Sequence, residues 1–180
     1  METLILKIEK FKPMFEKVSR NKYLKAINEV ASHAGIYGMI GGQVVDVESE
    51  NKFIDKDKLD FIHLNKTAAL IVACMRAGAI VGGANEDELQ RITKYGKNIG
   101  LSFQLVDDIL DITGDEAKLG KPIGSDIENH KSTYPSLIGL DESKKVATDL
   151  IKEAKDSIRK ISGESRFLED LADYIISRDH

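Results

Sequence analysis

One stretch, Gly96 to Asp115, limits what this chain can fold into more than any other. Wound as a helix at about 100° per residue, it places Asp107, Asp108 and Asp111 within an arc of roughly 100°, with Gln104 projecting into its middle. Gly96, Gly100 and Gly114 fall on or beside that arc, and Asp115 joins it if the helix continues past Gly114. Leu101, Leu105, Val106, Ile109, Leu110 and Ile112 fill most of the remaining circumference. A solvated surface helix spreads its charges over a wide face and mixes in lysine. This pattern instead predicts burial on most sides, with a strip of carboxylates that repel one another unless a cation joins them. Hard divalent cations such as Mg²⁺ take oxygen ligands of this kind and retain phosphate oxygens as further ligands. The plainer alternative is a solvated acidic patch or a helix cap, and the apolar surroundings favour metal over it.

The rest of the chain carries helical periodicity as well, with no convincing alternating strand. Its 180 residues suffice for one domain with a single core, and 42% hydrophobic content suits a globular fold. Helices are predicted from Asn21 to about Glu48, from an N-cap at Asp57 to about Ala79, and from Glu86 to Gly114. Three more are expected at about 132–140, 142–162 and 165–178, with Val146, Leu150, Ala154, Ile158 and Ile161 forming one apolar face. Residues 116–130 read as a surface loop around Gly120, Pro122 and Gly124. The expectation is one all-α domain over 1–180, or part of one, with residues 1–20 left unassigned.

A formal net charge of −4 leaves no basic excess for a general nucleic-acid binder. A phosphate site must then come from a few placed lysines or from metal ions. Cys74 is the only cysteine, so no intramolecular disulfide forms, and its apolar run predicts a buried thiol. No uninterrupted apolar stretch approaches the ~20 residues of a membrane span, and the start has no signal-peptide core. A cytoplasmic location is the expectation.

Further candidates lie outside the acidic strip. Gly35, Gly38, Gly42 and Asp46 recur on one helical face, where small residues let a helix or a ligand approach; close helix packing is the favoured reading for these glycines alone. If buried, Gln43 and Asp46 require polar partners. Lys66-Thr67 interrupts an apolar helix, and Lys121 and Lys131 flank the loop after the strip. Each lysine alone reads as surface charge. Together with the carboxylates they form a reasonable diphosphate site.

These motifs, in this order, resemble those of the trans-isoprenyl diphosphate synthases, the farnesyl and geranylgeranyl diphosphate synthase family. Gly42-Gln43-Val44-Val45-Asp46 resembles its G-Q-x-x-D motif, Lys66-Thr67 its K-T pair, and Phe103-Gln104-Leu105-Val106-Asp107-Asp108-Ile109-Leu110-Asp111 its second aspartate-rich motif. Gly114-Asp115, Leu119-Gly120-Lys121-Pro122 and Lys131-Ser132-Thr133-Tyr134-Pro135 follow as the family's loop does, with His130-Lys131 standing where the family has G-K. The ending Leu171-Ala172-Asp173-Tyr174-Ile175-Ile176 is similar to bacterial members. The resemblance implies an all-α isoprenoid synthase bundle, here an incomplete C-terminal portion, that condenses isopentenyl diphosphate with an allylic diphosphate. It implies Mg²⁺ at Asp107 and Asp108, with Asp111 as a nearby ligand or one shell further out. Lys66 and Lys121 would contact the allylic diphosphate, and Lys131 would sit near it. Thr67 and Gln104 would lie close to the reacting carbons, and Gln43, Asp46 and Phe103 would serve substrate binding.

The sequence contains no first aspartate-rich motif, no arginine pair after one and no G-K-x-x-R-P segment; Asp107-Asp108 is its only adjacent aspartate pair. The expectation is therefore an enzyme fragment with little or no activity alone and an exposed apolar face. Its partner would be a second copy or the missing N-terminal half. A subunit that needs a partner carrying the first motif is the competing reading. A terpene cyclase is weaker, since its Asn/Asp, Ser/Thr and Glu metal motif is not found.

Overall fold

Asn85 starts the central helix by accepting from the Glu88 N–H at 3.0 Å, while the Glu88 carboxylate accepts from the Asn85 N–H at 2.9 Å. This reciprocal cap satisfies two amides that helix geometry leaves without partners. The helix then runs without a break for 28 residues, Glu86–Thr113. The computed structural model describes residues 18–114, 131–161 and 163–178. Within them, α1 is Arg20–Ala34, α2 Met39–Glu48, α3 Lys56–His63, α4 Ala69–Gly82, α5 Glu86–Thr113, α6 Tyr134–Ile138, α7 Leu140–Ile158 and α8 Arg166–Ser177. A π-helical turn, Leu64–Ala68, joins α3 to α4. No strand occurs among the described residues, as expected.

α5 is the shared wall of the bundle. Toward its N-terminal half, Ile92, Tyr95 and Ile99 pack with Ile151, Ala154 and Ile158 of α7 and Ala172 and Ile175 of α8. Tyr95 is fully buried there, and its hydroxyl donates to the Leu168 carbonyl at 2.7 Å. Toward the C-terminal half, Leu105 and Val106 meet Leu59 and Ile62 of α3, Tyr134 of α6 and Ala147 of α7. α4 lies against α5 where glycine removes the side chain: a Cβ at Gly100 would sit 2.4 Å from the Ala68 Cβ, and one at Gly96 3.0 Å from a Val72 methyl. Gly42 of α2 makes a similar approach, since a Cβ there would lie 2.2 Å from the Lys66 backbone nitrogen.

Several boundaries differ from the sequence reading. The helix expected over 21–48 is two helices, broken between Gly35 and Gly38. A Cβ at Gly38 would fall 1.9 Å from the His33 carbonyl oxygen, so the reversal depends on glycine there. The third helix starts two residues earlier, because Asp55 rather than Asp57 caps it by accepting from the Lys58 N–H at 2.9 Å. It then continues beyond Ala79 to Gly82. On α7 the buried stripe is Ser143, Ala147, Ile151, Ala154 and Ile158, with Val146, Leu150 and Ile161 at its half-buried edge.

Cys74 is exposed, not buried. α4 turns Ala69, Val72, Ala73 and Ile80 toward its neighbours, and Leu70, Cys74 and Gly78 share the opposite side. The expectation of no membrane-length apolar helix also changes in one place. α3, the π turn and α4 form a continuous 27-residue helix, Lys56–Gly82, long and apolar enough by composition to cross a bilayer. Its Lys66 and Arg76 are ion-paired to Asp46 and Glu29, and its buried side packs on α5, as in a bundle helix. Large apolar side chains are exposed on α1 and α2, among them Leu24, Ile27, Val30, Ile40, Val44 and Val47.

The contact of the π turn with α5 should be the least tolerant of added volume. Gly100→Ala is expected to destabilise the chain by about 1–3 kcal/mol, because the Ala68 backbone must move to admit the new methyl. Urea unfolding checks this as a lower midpoint at unchanged slope.

Candidate active site

A cavity of about 200 Å³ opens between α2, α3, the π turn, α5 and the residues before α6. α5 contributes Gln104, Asp107 and Asp108 to its lining; Asp46 of α2, His63 and Lys66 line it as well. Ile54, Leu59 and Ile62 make an apolar floor, and Lys131, Ser132 and Thr133 close the rim. The π turn matters locally. One residue more per turn re-aims the side chains that follow, and such turns recur at functional sites. Lys66 lies within this one.

The polar groups hold one another. Lys66 Nζ donates to Asp46 Oδ2 at 2.6 Å, which supplies the partner that Asp46 requires. Gln104 Nε2 donates to Asp107 Oδ2 at 3.3 Å. The Tyr134 N–H donates to Asp108 Oδ2 at 2.9 Å. Asp107 also accepts from Arg178. That guanidinium lies 4.0 Å over the Phe103 ring and donates to the Phe103 carbonyl at 2.9 Å.

Of the predicted site residues, Asp46, Lys66, Gln104, Asp107, Asp108 and Lys131 meet at this cavity. Four others stand outside its lining. Gln43 is exposed, Thr67 is half-buried, Phe103 packs under Arg178, and Asp111 is 1% exposed, within the protein. Lys121 lies outside the described residues, as does Asp115.

Among the described residues no three His, Cys, Asp or Glu side chains cluster closely enough to hold a metal ion by themselves. The donor set nevertheless fits Mg²⁺, which keeps several waters and binds through one or two carboxylates plus substrate phosphates. Asp107 and Asp108 are such a pair, and Lys66 and Lys131 line the same cavity.

The sequence reading missed three participants. Arg178 is 71 residues from Asp107, so no local spacing could join them. Asp60 accepts from the Tyr134 hydroxyl, and its place one turn before His63 on α3 was the available signal. His63 is 6% exposed, its ring is stacked on Tyr134 with centroids 5.7 Å apart, and its Nδ1 makes no hydrogen bond. Burial lowers its pKa from 6.5 to about 4, against the opposing pull of Asp60 and Asp46, so the ring is neutral at pH 7. Burial also raises the Tyr134 pKa, reinforced by its bond to Asp60, so the hydroxyl stays a donor.

His63 makes stability depend on pH in a definite window. As pH falls below 6.5 the unfolded chain takes up a proton that the folded chain refuses until about 4. The contribution is complete above 6.5, is lost progressively toward 4, and amounts to on the order of 3 kcal/mol. His63→Phe, which keeps the stack, should flatten this part of the acid limb. Urea midpoints at pH 7, 5.5 and 4.5 check it; parallel wild-type and variant slopes would refute it.

Residues 6–165 match the family model described as polyprenyl synthetase, a match that begins within the stretch left unassigned above. The chain is 45% identical over 165 residues to the farnesyl diphosphate synthase of Bacillus subtilis, covering 92% of this chain and 56% of that protein. Among solved structures it resembles the geranylgeranyl pyrophosphate synthetase of Pyrococcus horikoshii, with a TM-score of 0.80, 26% identity, and coverage of 90% of this chain and 61% of that one. It also resembles the Helicobacter pylori geranyltransferase complexed with magnesium and isoprenyl diphosphate, with a TM-score of 0.72, 28% identity, and coverage of 89% and 52%. The chain thus spans little more than half the length of the relatives it matches. With the family model covering most of the sequence and an all-α fold shared with these synthases, the chain belongs to the polyprenyl synthetase family.

Proposed function

We propose that this chain carries the second metal-binding wall of a farnesyl- or geranylgeranyl-type prenyltransferase of isoprenoid biosynthesis, which joins isopentenyl diphosphate to an allylic diphosphate. One observation carries the reading: Asp107, Asp108 and Lys66 line a single cavity together with the apolar Ile54, Leu59 and Ile62. Cleaving an allylic carbon–oxygen bond requires neutralising the departing diphosphate and keeping water from the carbocation. Mg²⁺ bound at Asp107 and Asp108 supplies charge neutralisation on the diphosphate oxygens. Lys66 and Lys131 bind the same oxygens, with Lys66 exchanging Asp46 for phosphate. Lys121 joins them by its place in the motif. Ile54, Leu59 and Ile62 exclude water from the cationic carbons. Gln104, held by Asp107, orients polar groups near the reacting atoms. A cytoplasmic setting, with its soluble diphosphate substrates, belongs to the same reading.

We further propose that the 180-residue chain alone presents one wall of a two-walled clamp and turns over little or not at all. The exposed apolar residues of α1 and α2 favour a variant of this reading, in which a partner bearing a first aspartate motif completes the site.

The test combines turnover and binding. With Mg²⁺, geranyl diphosphate and labelled isopentenyl diphosphate, no product above background is expected. Pyrophosphate should bind in a Mg²⁺-dependent manner and weaken at least about tenfold in Asp107→Ala. Sustained turnover by pure chain would overturn the one-wall reading; undiminished binding in the variant would overturn the metal assignment. Product formation on adding a separately made N-terminal half of a family member would establish the two-component form.

A further inference from the structure

Tyr134 is wholly buried, yet its polar atoms reach α3 and α5, two helices that contribute to the cavity. Its hydroxyl donates to Asp60 of α3. Its backbone N–H donates to Asp108 Oδ2 of α5 at 2.9 Å. Between these ends, its ring stacks on His63 with planes 25° apart, and Lys56 Nζ lies 5.3 Å from the ring centroid. Lys56 is itself paired to Asp60 at 2.6 Å. The three α3 side chains lie on one face of that helix, and all engage this single tyrosine.

The geometry has a mechanical consequence. A buried hydroxyl without a partner is costly, so Asp60 fixes where the tyrosine ring ends. The ring is rigid, and its position fixes the residue's own amide. That amide in turn holds one oxygen of Asp108. We infer that Tyr134 is a positioning residue for the Asp108 carboxylate, with Asp60 of α3 as its anchor. The consequence for metal affinity rests on the reading of Asp108 given above; the tether itself does not. Hydrogen-bonded groups behind metal-binding carboxylates typically change affinity 10- to 100-fold when removed, so the tether matters to ligand binding as well as to packing.

Tyr134→Phe removes only the hydroxyl and keeps the ring, its stack and its volume. Amide hydrogen exchange by NMR on the full chain reads the tether at the amide of residue 134. In Tyr134→Phe and in Asp60→Ala, protection of that amide should fall about tenfold, while the amides of α7 keep theirs. Asp60→Asn retains an acceptor and should keep protection near the wild-type level. In parallel, Mg²⁺-dependent pyrophosphate affinity should weaken about tenfold in Tyr134→Phe. Unchanged protection at residue 134 would overturn the inference, as would a loss shared equally by α7, which would mark a general loss of stability. If the wild-type chain binds no pyrophosphate, the metal reading fails, and the amide measurement still decides for or against the tether.

Discussion

The close approach of the Lys66 segment to α5 is the constraint on which the site depends. At Gly100 the two backbones come near enough that a single methyl would meet Ala68, and at Gly42 the Lys66 backbone takes the space of a side chain. Three elements are thereby held within reach of one another: the acidic helix, the lysine turn and α2. If they were further apart, Lys66 and Asp46 would not share one cavity with Asp107 and Asp108. Small residues here serve packing first, and the chemistry follows from the packing.

The π turn adds a second consequence to the same contact. An unbroken α-helix from Lys56 to Gly82 would present its residues in a regular spiral. The wider turn shifts that register between His63 and Ala69. His63 and Lys66 both line the cavity, while Ala68 packs on Gly100. A helix that must satisfy an apolar neighbour on one side and a polar cavity on another benefits from such a break in period.

Much of this was legible in the sequence because helices write their environment at fixed spacing. The carboxylates at 107 and 108 line the cavity as the helical arc allows, and α5 begins at Glu86 where the helix was expected. Asp111 lies between them on the same arc but one turn further along the helix, where it is buried beyond the lining. Cys74 was misread because an apolar run does not say whether every side has a neighbour. Arg178 was illegible because its role arises from a contact across the fold, and Asp60 offered only its place one turn before His63. Gly35 and Gly38 fit a helical face by spacing, and only the backbone shows that they end one helix and begin another.

The charge inventory of the cavity bears on how it would take a ligand. Among the described lining residues there are four carboxylates, Asp46, Glu50, Asp107 and Asp108, against two ammonium groups, Lys66 and Lys131. His63 adds no positive charge at pH 7, because burial keeps it neutral. A bare diphosphate would meet a lining with an excess of its own sign, inside a space partly closed to water where such repulsion is weakly screened. The same lining attracts divalent cations. On the proposed reading, a diphosphate that arrived with its cations would reverse the sign of the encounter and let Lys66 leave Asp46 without stranding either charge. The acidic lining would then favour the metal complex of a diphosphate over the free anion, through charges placed by helix spacing and by the glycine contacts.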